Sequence, residues 1–400
     1  MTEDNMYRTA KNFFQVFEPK SEIITGVKVP GSVQVLGEAP DFNKGRVISA
    51  NLNKDAVIMA QKRRDGDRAV QFYAKKYDEK IRLSLNEPQS NEEYGWANFI
   101  SSTLFMLEGN SKKVNGMNVF IDNMIPDLFD ANSIEALEVG AAKIASRFSD
   151  WELEGADIAH ICAEGEKNFM GREKSFVKYL PLIFGKKGTL AYYDVAAMKE
   201  ETIEADLDGH VFVVLSSGLK KKQLEAKKKA ITEEVKESIE IMRKNGAGFE
   251  SLDALSPEEL DEYRSKLSIS QRRRCAFFIS ENERAEAAKN ALLKKDFRAF
   301  ADVINDSQKN IKNRLEMVEG ENEILIDMIQ DMDEVKAVRM LNMGLDGSVI
   351  LLVKKDKRQA VESRIKKIFL TRTGLELSSE VFDLNNETEE LSINVSDFKK

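Results

Sequence analysis

The chain has 400 residues, 42% of them hydrophobic and 8% aromatic, with a formal net charge of −8. This length exceeds what one compact core usually holds, so two domains are expected. The acidic balance argues against nucleic acid or an anionic membrane as a partner. No run approaches the roughly 18 apolar residues of a membrane helix, and the start, M-T-E-D, is unlike a signal peptide.

Cysteine and histidine are scarce, which limits the chemistry. Cys162 and Cys275 are the only cysteines, and His160 and His210 are the only histidines. Two isolated thiols indicate a reducing cytoplasm rather than a disulfide framework. The same scarcity argues against a Cys/His zinc cluster, and neither histidine lies in a setting suited to serine–histidine hydrolysis.

The first half of the chain mixes strands and helices. Apolar periodicity predicts helices at 95–108, 132–148 and 156–169, and strands at 27–36, 56–61, 69–74, 117–122 and 189–195. A linker at 199–208 then places the domain boundary between 1–205 and 206–400.

The second half is predicted to be richer in helix. Helical patterning covers 220–244, 256–267, 270–295, 297–317, 321–332 and 358–369, and strands are predicted at 211–215, 335–341, 348–353 and 375–382. The lysine runs at 220–222 and 227–229 are predicted to lie on solvated helix faces, because acidic residues are interleaved with them.

The first motif lies near the N-terminus. Residues 30–45 read P-G-S-V-Q-V-L-G-E-A-P-D-F-N-K-G. This run closely resembles the galactokinase signature P-G-R-V-N-L-I-G-E-H-x-D-Y-N-x-G. Ser32 stands in place of the family's arginine, and Ala39 stands in place of its histidine.

The resemblance implies sugar contacts in this motif. The family's glutamate and aspartate bind sugar hydroxyls, so Glu38, Asp41 and Asn43 are candidate sugar-binding residues. Paired carboxylates suit a polyol, because each one accepts several hydroxyl hydrogen bonds. The alternative is that these carboxylates pair with Lys178 or Lys44.

The second motif follows a predicted strand. Residues 126–139 read P-D-L-F-D-A-N-S-I-E-A-L-E-V and resemble the family's phosphate loop, P-x-G-x-G-L-S-S-S. Glycines let the backbone approach a phosphate held at a helix N-terminus, but Leu128 and Asp130 replace both glycines here. The resemblance places a nucleotide at Asp130, Asn132 and Ser133. A carboxylate beside the helix start can instead cap the free amides, so we expect Asp130 to occupy the phosphate position.

The third motif holds the family's base. Residues 162–171, C-A-E-G-E-K-N-F-M-G, resemble C-Q-x-A-E-N-E-F-V-G, and S-F-V-K-Y at 175–179 stands where the family has G-I-M-D-Q. Lys178 replaces the aspartate, and an ammonium of pKa about 10.4 is a poor proton acceptor at neutral pH. No catalytic residue is therefore assigned, since Ser32 and Lys178 only occupy the family's arginine and aspartate positions. The resemblance also implies Ser133 and Glu166 as magnesium ligands.

Two interpretations of Lys178 remain. It packs beside Glu38 or Asp41 in an inactive cleft, or its relocated positive charge steadies a transferring phosphoryl group.

A fourth motif lies towards the C-terminus. Residues 337–347, A-V-R-M-L-N-M-G-L-D-G, resemble the family's G-x-R-M-T-G-x-G-F-G-G. Gly344 is a candidate nucleotide contact, but Gly344 and Gly347 also suit a turn between two strands. Leu224 stands where the family has a tyrosine that lines the sugar site.

The resemblance covers about residues 10 to 385. It implies a two-lobed α/β fold of the galactokinase type, within the GHMP small-molecule kinases, with the ligand cleft between the lobes. We expect a catalytically impaired or inactive galactokinase-like protein that senses a sugar or binds a protein partner, with no cofactor. The alternative is an active sugar kinase that uses ATP and magnesium to phosphorylate galactose or a related small molecule.

Overall fold

The computed structural model describes residues 2–19, 23–38, 43–149, 151–219, 222–249 and 251–398. These residues form two β-sheets with helices packed against them. The larger sheet has the strand order β12-β1-β2-β5-β3-β4, with β6 paired to β2 and β7 paired to β6. Its strands are β1 (Ile23–Leu36), β2 (Arg46–Lys62), β3 (Ala69–Ala74), β4 (Glu79–Ser84), β5 (Met117–Asn123), β6 (Thr189–Asp194), β7 (Lys199–Glu204) and β12 (Glu389–Asn394).

The long strand β2 organises this sheet. Its first residues pair with β6, and residues 56–62 pair with β5, so one strand supports two branches. Among the described residues, the strand pairs of this sheet are antiparallel except β3 with β5. Strand β1 carries the first motif and pairs with β2 along most of its length.

The smaller sheet separates two hydrophobic cores. It has the order β11-β8-β10-β9, formed by β8 (His210–Ser216), β9 (Val335–Met340), β10 (Ser348–Lys354) and β11 (Ser378–Phe382). Alternate β8 residues face opposite ways: Phe212 and Val214 join the core of the larger sheet, whereas Val213 joins the second core. Burial on both faces explains why β8 is a continuous apolar run.

Helices cover both sheets. The helix α3 packs on β1 and β2, α2 packs on α4, and α1 covers another part of β2 and β5. None of the helices in the described part of the chain is long and apolar enough to cross a membrane. The helices are α1 (Thr2–Phe17), α2 (Ala97–Gly109), α3 (Ser133–Arg147), α4 (Gly155–Met170), α5 (Leu180–Phe184), α6 (Lys222–Lys244), α7 (Pro257–Glu262), α8 (Ile269–Leu293), α9 (Phe297–Asn310), α10 (Glu321–Gln330) and α11 (Arg358–Thr373).

Most predicted elements are present, but three predictions were wrong. The predicted linker at 199–208 contains strand β7, and the strand predicted as the last one is followed by β12. The helix predicted over 297–317 ends at Asn310 and continues as a π-helical turn over Ile311–Leu315. Because β12 pairs with β1, the larger sheet contains residues from both predicted domains. The boundary at 205/206 stays a prediction.

Candidate functional site

A polar cleft of about 260 Å³ lies where the motifs meet. It is bordered by the end of β1, the loop before α3, the segment before α5, helix α6 and the β9–β10 turn. Of the predicted site residues, it contains Glu38, Asp130, Asn132 and Lys178. The other lining residues are Gln34, Ser49, Phe129, Ser175, Val177, Pro181, Lys228, Leu341 and Asn342.

An ion pair joins the second and third motifs in this cleft. The Nζ of Lys178 lies 2.6 Å from Oδ1 and 2.5 Å from Oδ2 of Asp130. Although desolvation acts in the opposite direction, the Lys178 ammonium lowers the pKa of the Asp130 carboxyl. The Asp130 carboxyl therefore stays ionised at neutral pH, and its two oxygens bind the Lys178 side chain.

The prediction that Asp130 caps α3 was wrong. The N-cap residue is Asn132, which has left-handed backbone angles and makes no side-chain capping bond. Asp130 is held by Lys178 instead, because the ion pair offers its carboxylate two charge-assisted hydrogen bonds. The obstruction at the helix start is thus an ion pair rather than a capping carboxylate.

The loop before α3 is strained in the absence of the family's glycines. Phe129, Asp130 and Asn132 have φ values of 48°, 53° and 55°. A left-handed conformation costs a non-glycine residue roughly 1–2 kcal/mol, and least for Asn and Asp. Phe129 is only 3% exposed, so packing of its ring offsets part of this cost.

The Asn132 side chain ties the first three motifs together. Its Nδ2 donates to Ser32 Oγ at 2.8 Å and to the Lys178 carbonyl at 3.2 Å. The backbone N–H of Ser32 donates to the Ala131 carbonyl at 3.0 Å. A Cβ at Gly31 would lie 2.8 Å from that same carbonyl oxygen, so this close approach requires glycine. Ser32 is fully buried and lies behind Asn132.

A buried arginine on strand β9 holds Glu38 in place. Arg339 Nη2 lies 2.7 Å from Glu38 Oε1 and 3.3 Å from Glu281 Oε1, and its Nε donates to Ser307 Oγ at 2.8 Å. The alternative that Lys178 pairs with Glu38 was therefore wrong, because Arg339 takes that position. Burial raises the pKa of the Glu38 carboxyl, and Arg339 opposes the rise only in part.

Four other predicted positions lie away from the cleft lining or outside the described residues. Asn43 is 1% exposed and lies beside Gly45, where an added Cβ would be 2.4 Å from its Oδ1. Gly344 has a φ of 78° in the turn between β9 and β10 and accepts a hydrogen bond from Asn322, which confirms the turn interpretation. Leu224 is buried in the second core. Asp41 lies outside the described residues.

An acidic cluster lies behind the cleft. Glu135, Glu138 and Glu166 are 3%, 0% and 0% exposed. Tyr179 donates its hydroxyl to Glu138 Oε2 at 2.8 Å and lies 3.3 Å from Glu166 Oε1. Burial, followed by the charges of Glu166 and Glu135, raises the pKa of Glu138 well above its usual value. We name Glu135, Glu138 and Glu166 the acidic cluster.

The two magnesium ligands implied by the resemblance do not fit the ion. Ser133 Oγ accepts a hydrogen bond from Asn123 at 2.9 Å, and Glu166 lies near the cations of Lys174 and Arg172, at 3.6 and 3.7 Å. Magnesium needs several oxygens in near-octahedral geometry at about 2.0–2.1 Å. Over the described ranges, no three His, Cys, Asp or Glu side chains are grouped so that they could hold a metal ion.

The phosphate site of the resemblance is equally altered. Its two glycine positions carry side chains, and the Asp130–Lys178 ion pair lies at the helix start, so neither close backbone approach nor a free cation is offered to a phosphate. The residues present therefore do not suit a nucleoside triphosphate.

Sequence reasoning missed several contributors to this site. Lys228 was predicted to lie on a solvated face, yet its Nζ donates to Asn342 Oδ1 at 2.7 Å and it lines the cleft. The structural position of Arg339 and the proximity of Lys174 to the acidic cluster were also missed. Their partners are distant in sequence or lie on other elements, so no local pattern could have identified them.

The sequence is similar to known galactokinases. Residues 11–62 match the galactokinase galactose-binding signature. The galactokinase of Staphylococcus saprophyticus is 24% identical over 368 residues, covering 91% of this chain and 94% of the relative. The galactokinase of Streptococcus thermophilus is 26% identical over 353 residues, covering 85% and 89%.

Solved structures share the fold. Lactococcus lactis galactokinase in complex with galactose superposes with a TM-score of 0.87 at 21% identity, covering 96% of this chain and 99% of that one. Methanococcus jannaschii mevalonate kinase gives a TM-score of 0.61 at 16% identity, covering 91% and 100%. The fold is therefore that of the GHMP small-molecule kinases, as predicted. Within this class, the chain is most like galactokinases among these comparisons, in sequence over most of its length and in fold.

Proposed function

We propose that this protein binds a monosaccharide or a similar polyol in the cleft and does not transfer a phosphoryl group to it. The Lys178–Asp130 ion pair is the observation that carries the proposal. The family's base position holds a cation, and that cation is bound to a carboxylate in the phosphate loop. Proton abstraction and phosphate approach are disfavoured by the same two side chains.

The cleft retains groups that suit a polyol. Carboxylate, amide and ammonium groups of Glu38, Gln34, Asn342 and Lys228 line it, and together they supply donors and acceptors for hydroxyls. Its volume of about 260 Å³ lies just below the range of about 300 Å³ upwards that drug-sized ligands occupy, which favours a small ligand. Arg339 fixes the Glu38 carboxylate, so this acceptor is oriented before a ligand arrives.

A protein that binds a sugar without consuming it can report the sugar's presence. We propose this sensing role rather than galactose turnover, which would require a base and a phosphate site that the described residues do not supply. In this role, a protein partner would bind the sugar-bound form of the protein.

Thermal-shift and calorimetric titrations with a panel of monosaccharides test the proposal. We expect at least one sugar to stabilise the protein, with no added effect of magnesium-ATP. Lys228→Met should weaken sugar binding by about 10- to 100-fold, because a hydrogen bond from a charged group contributes roughly 1.5–3 kcal/mol.

The control variant is Lys229→Met, on the next residue of the same helix. Lys229 is 79% exposed and pairs only loosely with Glu233, at 3.9 Å, so its replacement should leave sugar affinity unchanged. Absence of stabilisation by any monosaccharide would overturn the sugar-binding proposal. Stabilisation by both sugar and magnesium-ATP, with ADP release, would instead establish an active kinase.

A further inference from the structure

A lysine is inserted into the acidic cluster behind the cleft. The Nζ of Lys174 lies 2.6 Å from Glu135 Oε1 and 3.6 Å from Glu166 Oε1. The Lys174 side chain is only 17% exposed, and the two glutamates it contacts are 4% and 0% exposed at their side chains. An ammonium group therefore lies between two carboxylates that belong to different helices, α3 and α4.

This arrangement has the charge pattern of a cation site whose cation is part of the chain. A divalent ion would need the oxygens of Glu135 and Glu166 that Lys174 already approaches. Lys174 presents up to three N–H donors as a compact point charge, so it can serve carboxylates on two sides at once. Because the Lys174 ammonium is covalently attached to the chain, it loses no translational entropy when it contacts the carboxylates, whereas a free ion does.

Two more basic side chains near the acidic cluster bring the numbers of positive and negative charges close to each other. Lys178, which binds Asp130, also lies 3.9 Å from Glu135, and Arg172 lies 3.7 Å from Glu166. Asp130, Glu135 and Glu166 thus face Lys174, Lys178 and Arg172, three acids against three bases. Glu138 is the remaining acid, and it receives the Tyr179 hydroxyl. An added divalent cation would break this balance rather than complete it.

We propose that the Lys174 ammonium is a built-in counter-ion that replaces a divalent cation in the acidic cluster. The protein accordingly keeps its cleft assembled without metal, and removal of this one positive charge creates a divalent-cation site between Glu135 and Glu166. The inference goes beyond the proposed sugar binding and does not depend on it, because it concerns only the protein and the ion.

Mn²⁺ binding, followed by electron paramagnetic resonance of the free ion, tests the proposal directly. Wild-type protein should show no Mn²⁺ binding up to about 1 mM, whereas Lys174→Met should bind Mn²⁺ at least about ten-fold more tightly than that limit, because its two buried carboxylates have lost the cation that lies between them. The matched control is Lys167→Met, since Lys167 is 54% exposed and its nearest acid, Glu164, is 3.8 Å away. This control should behave as wild type.

Two further variants separate a metal site from loss of folding. Lys174→Met/Glu166→Gln should lose the acquired Mn²⁺ binding. Lys174→Met/Glu135→Gln removes one charge of each sign, so it should fold without metal and bind no Mn²⁺. If Lys174→Met unfolds when metal-free, Mn²⁺ should raise its melting temperature while leaving that of the Glu135→Gln double variant unchanged.

Tight Mn²⁺ binding by the wild-type protein that Glu166→Gln abolishes would overturn the proposal. So would a Lys174→Met variant that neither binds Mn²⁺ nor is stabilised by it. These results are distinguishable from failure of the sugar-binding proposal, because sugar binding is measured with monosaccharides alone and does not involve Mn²⁺.

Discussion

Lys178 Nζ lies within 2.6 Å of both carboxylate oxygens of Asp130, so the residue at the family's base position is bound to a residue of its phosphate loop. The two departures from the galactokinase motifs are thus a matched pair of opposite charges. Each one helps to explain why the other is tolerated, since each is the nearest opposite charge to the other.

Restoring the family's aspartate alone should not restore catalysis. Lys178→Asp places a carboxylate against Asp130 and near Glu135, so we expect a loss of about 1–2 kcal/mol of unfolding free energy and no ADP release. Lys178→Met, which removes the attraction without adding repulsion, should cost only about 0.5–1 kcal/mol. Urea denaturation and a coupled ADP assay measure both effects. Sugar-dependent turnover by Lys178→Asp would show that the loop does not block phosphate.

Asn132 should tolerate glycine better than alanine. Both substitutions remove the hydrogen bonds to Ser32 and to the Lys178 carbonyl, which should cost about 1–3 kcal/mol. Alanine additionally keeps the cost of a left-handed backbone, roughly 1–2 kcal/mol, which glycine does not have. Chemical denaturation of the two variants separates these contributions. Equal stability of Asn132→Gly and Asn132→Ala would contradict the left-handed backbone at this residue.

Arg339 should be among the most sensitive positions for stability. Arg339→Met leaves Glu38 and Glu281 as buried carboxylates near each other, and we expect a loss of about 3–5 kcal/mol. Arg298 offers a control, because its side chain is 92% exposed and lies 3.9 Å from the exposed Asp302, across one turn of α9. Arg298→Met should cost no more than about 0.5 kcal/mol. A similarly small loss of unfolding free energy in both variants would argue against the buried ion pairs of Arg339 with Glu38 and Glu281.

Glu138 should make the folded protein less stable as the pH rises. Because burial and then the nearby Glu166 and Glu135 raise its pKa, the folded protein retains a proton that the unfolded chain releases above about pH 4.3. The raised pKa contributes stability at low pH, and this contribution is lost as the pH rises through the folded-state pKa.

Glu138→Gln removes this titration while leaving an oxygen for the Tyr179 hydroxyl. The melting temperature of the variant relative to wild type should therefore increase between about pH 5 and about pH 8. Glu164→Gln, at a partly exposed position on α4, is the control and should show a flat difference. If the melting temperature of Glu138→Gln relative to wild type decreased as the pH rose, this prediction would be wrong.

Much of the fold was predictable from the sequence, because motif order, apolar periodicity and strand β8 are local features. Three strands were missed, β4, β7 and β12. Strands β7 and β12 read K-E-E-T-I-E and E-E-L-S-I-N, with one deeply buried residue each, Ile203 and Ile393. Such charged segments become strands because a paired neighbour supplies their hydrogen bonds, which the local sequence does not reveal.

The site was only partly predictable for a related reason. The motifs identified Ser32, Asp130 and Lys178 as unusual, but the partner of each lies on another motif or another lobe. Lys178 is 48 positions from Asp130, and Arg339 is 301 positions from Glu38. Spacing within a motif therefore predicted which residues had changed, whereas only the three-dimensional structure reveals which changes compensate each other.

ADP release from magnesium-ATP, measured with each of a panel of monosaccharides, distinguishes a sugar-binding protein from a sugar kinase. The wild-type protein should release no more ADP than a protein-free control, even with a sugar that stabilises it. Sugar-dependent ADP release by the wild-type protein, with a matching yield of sugar phosphate, would contradict this prediction.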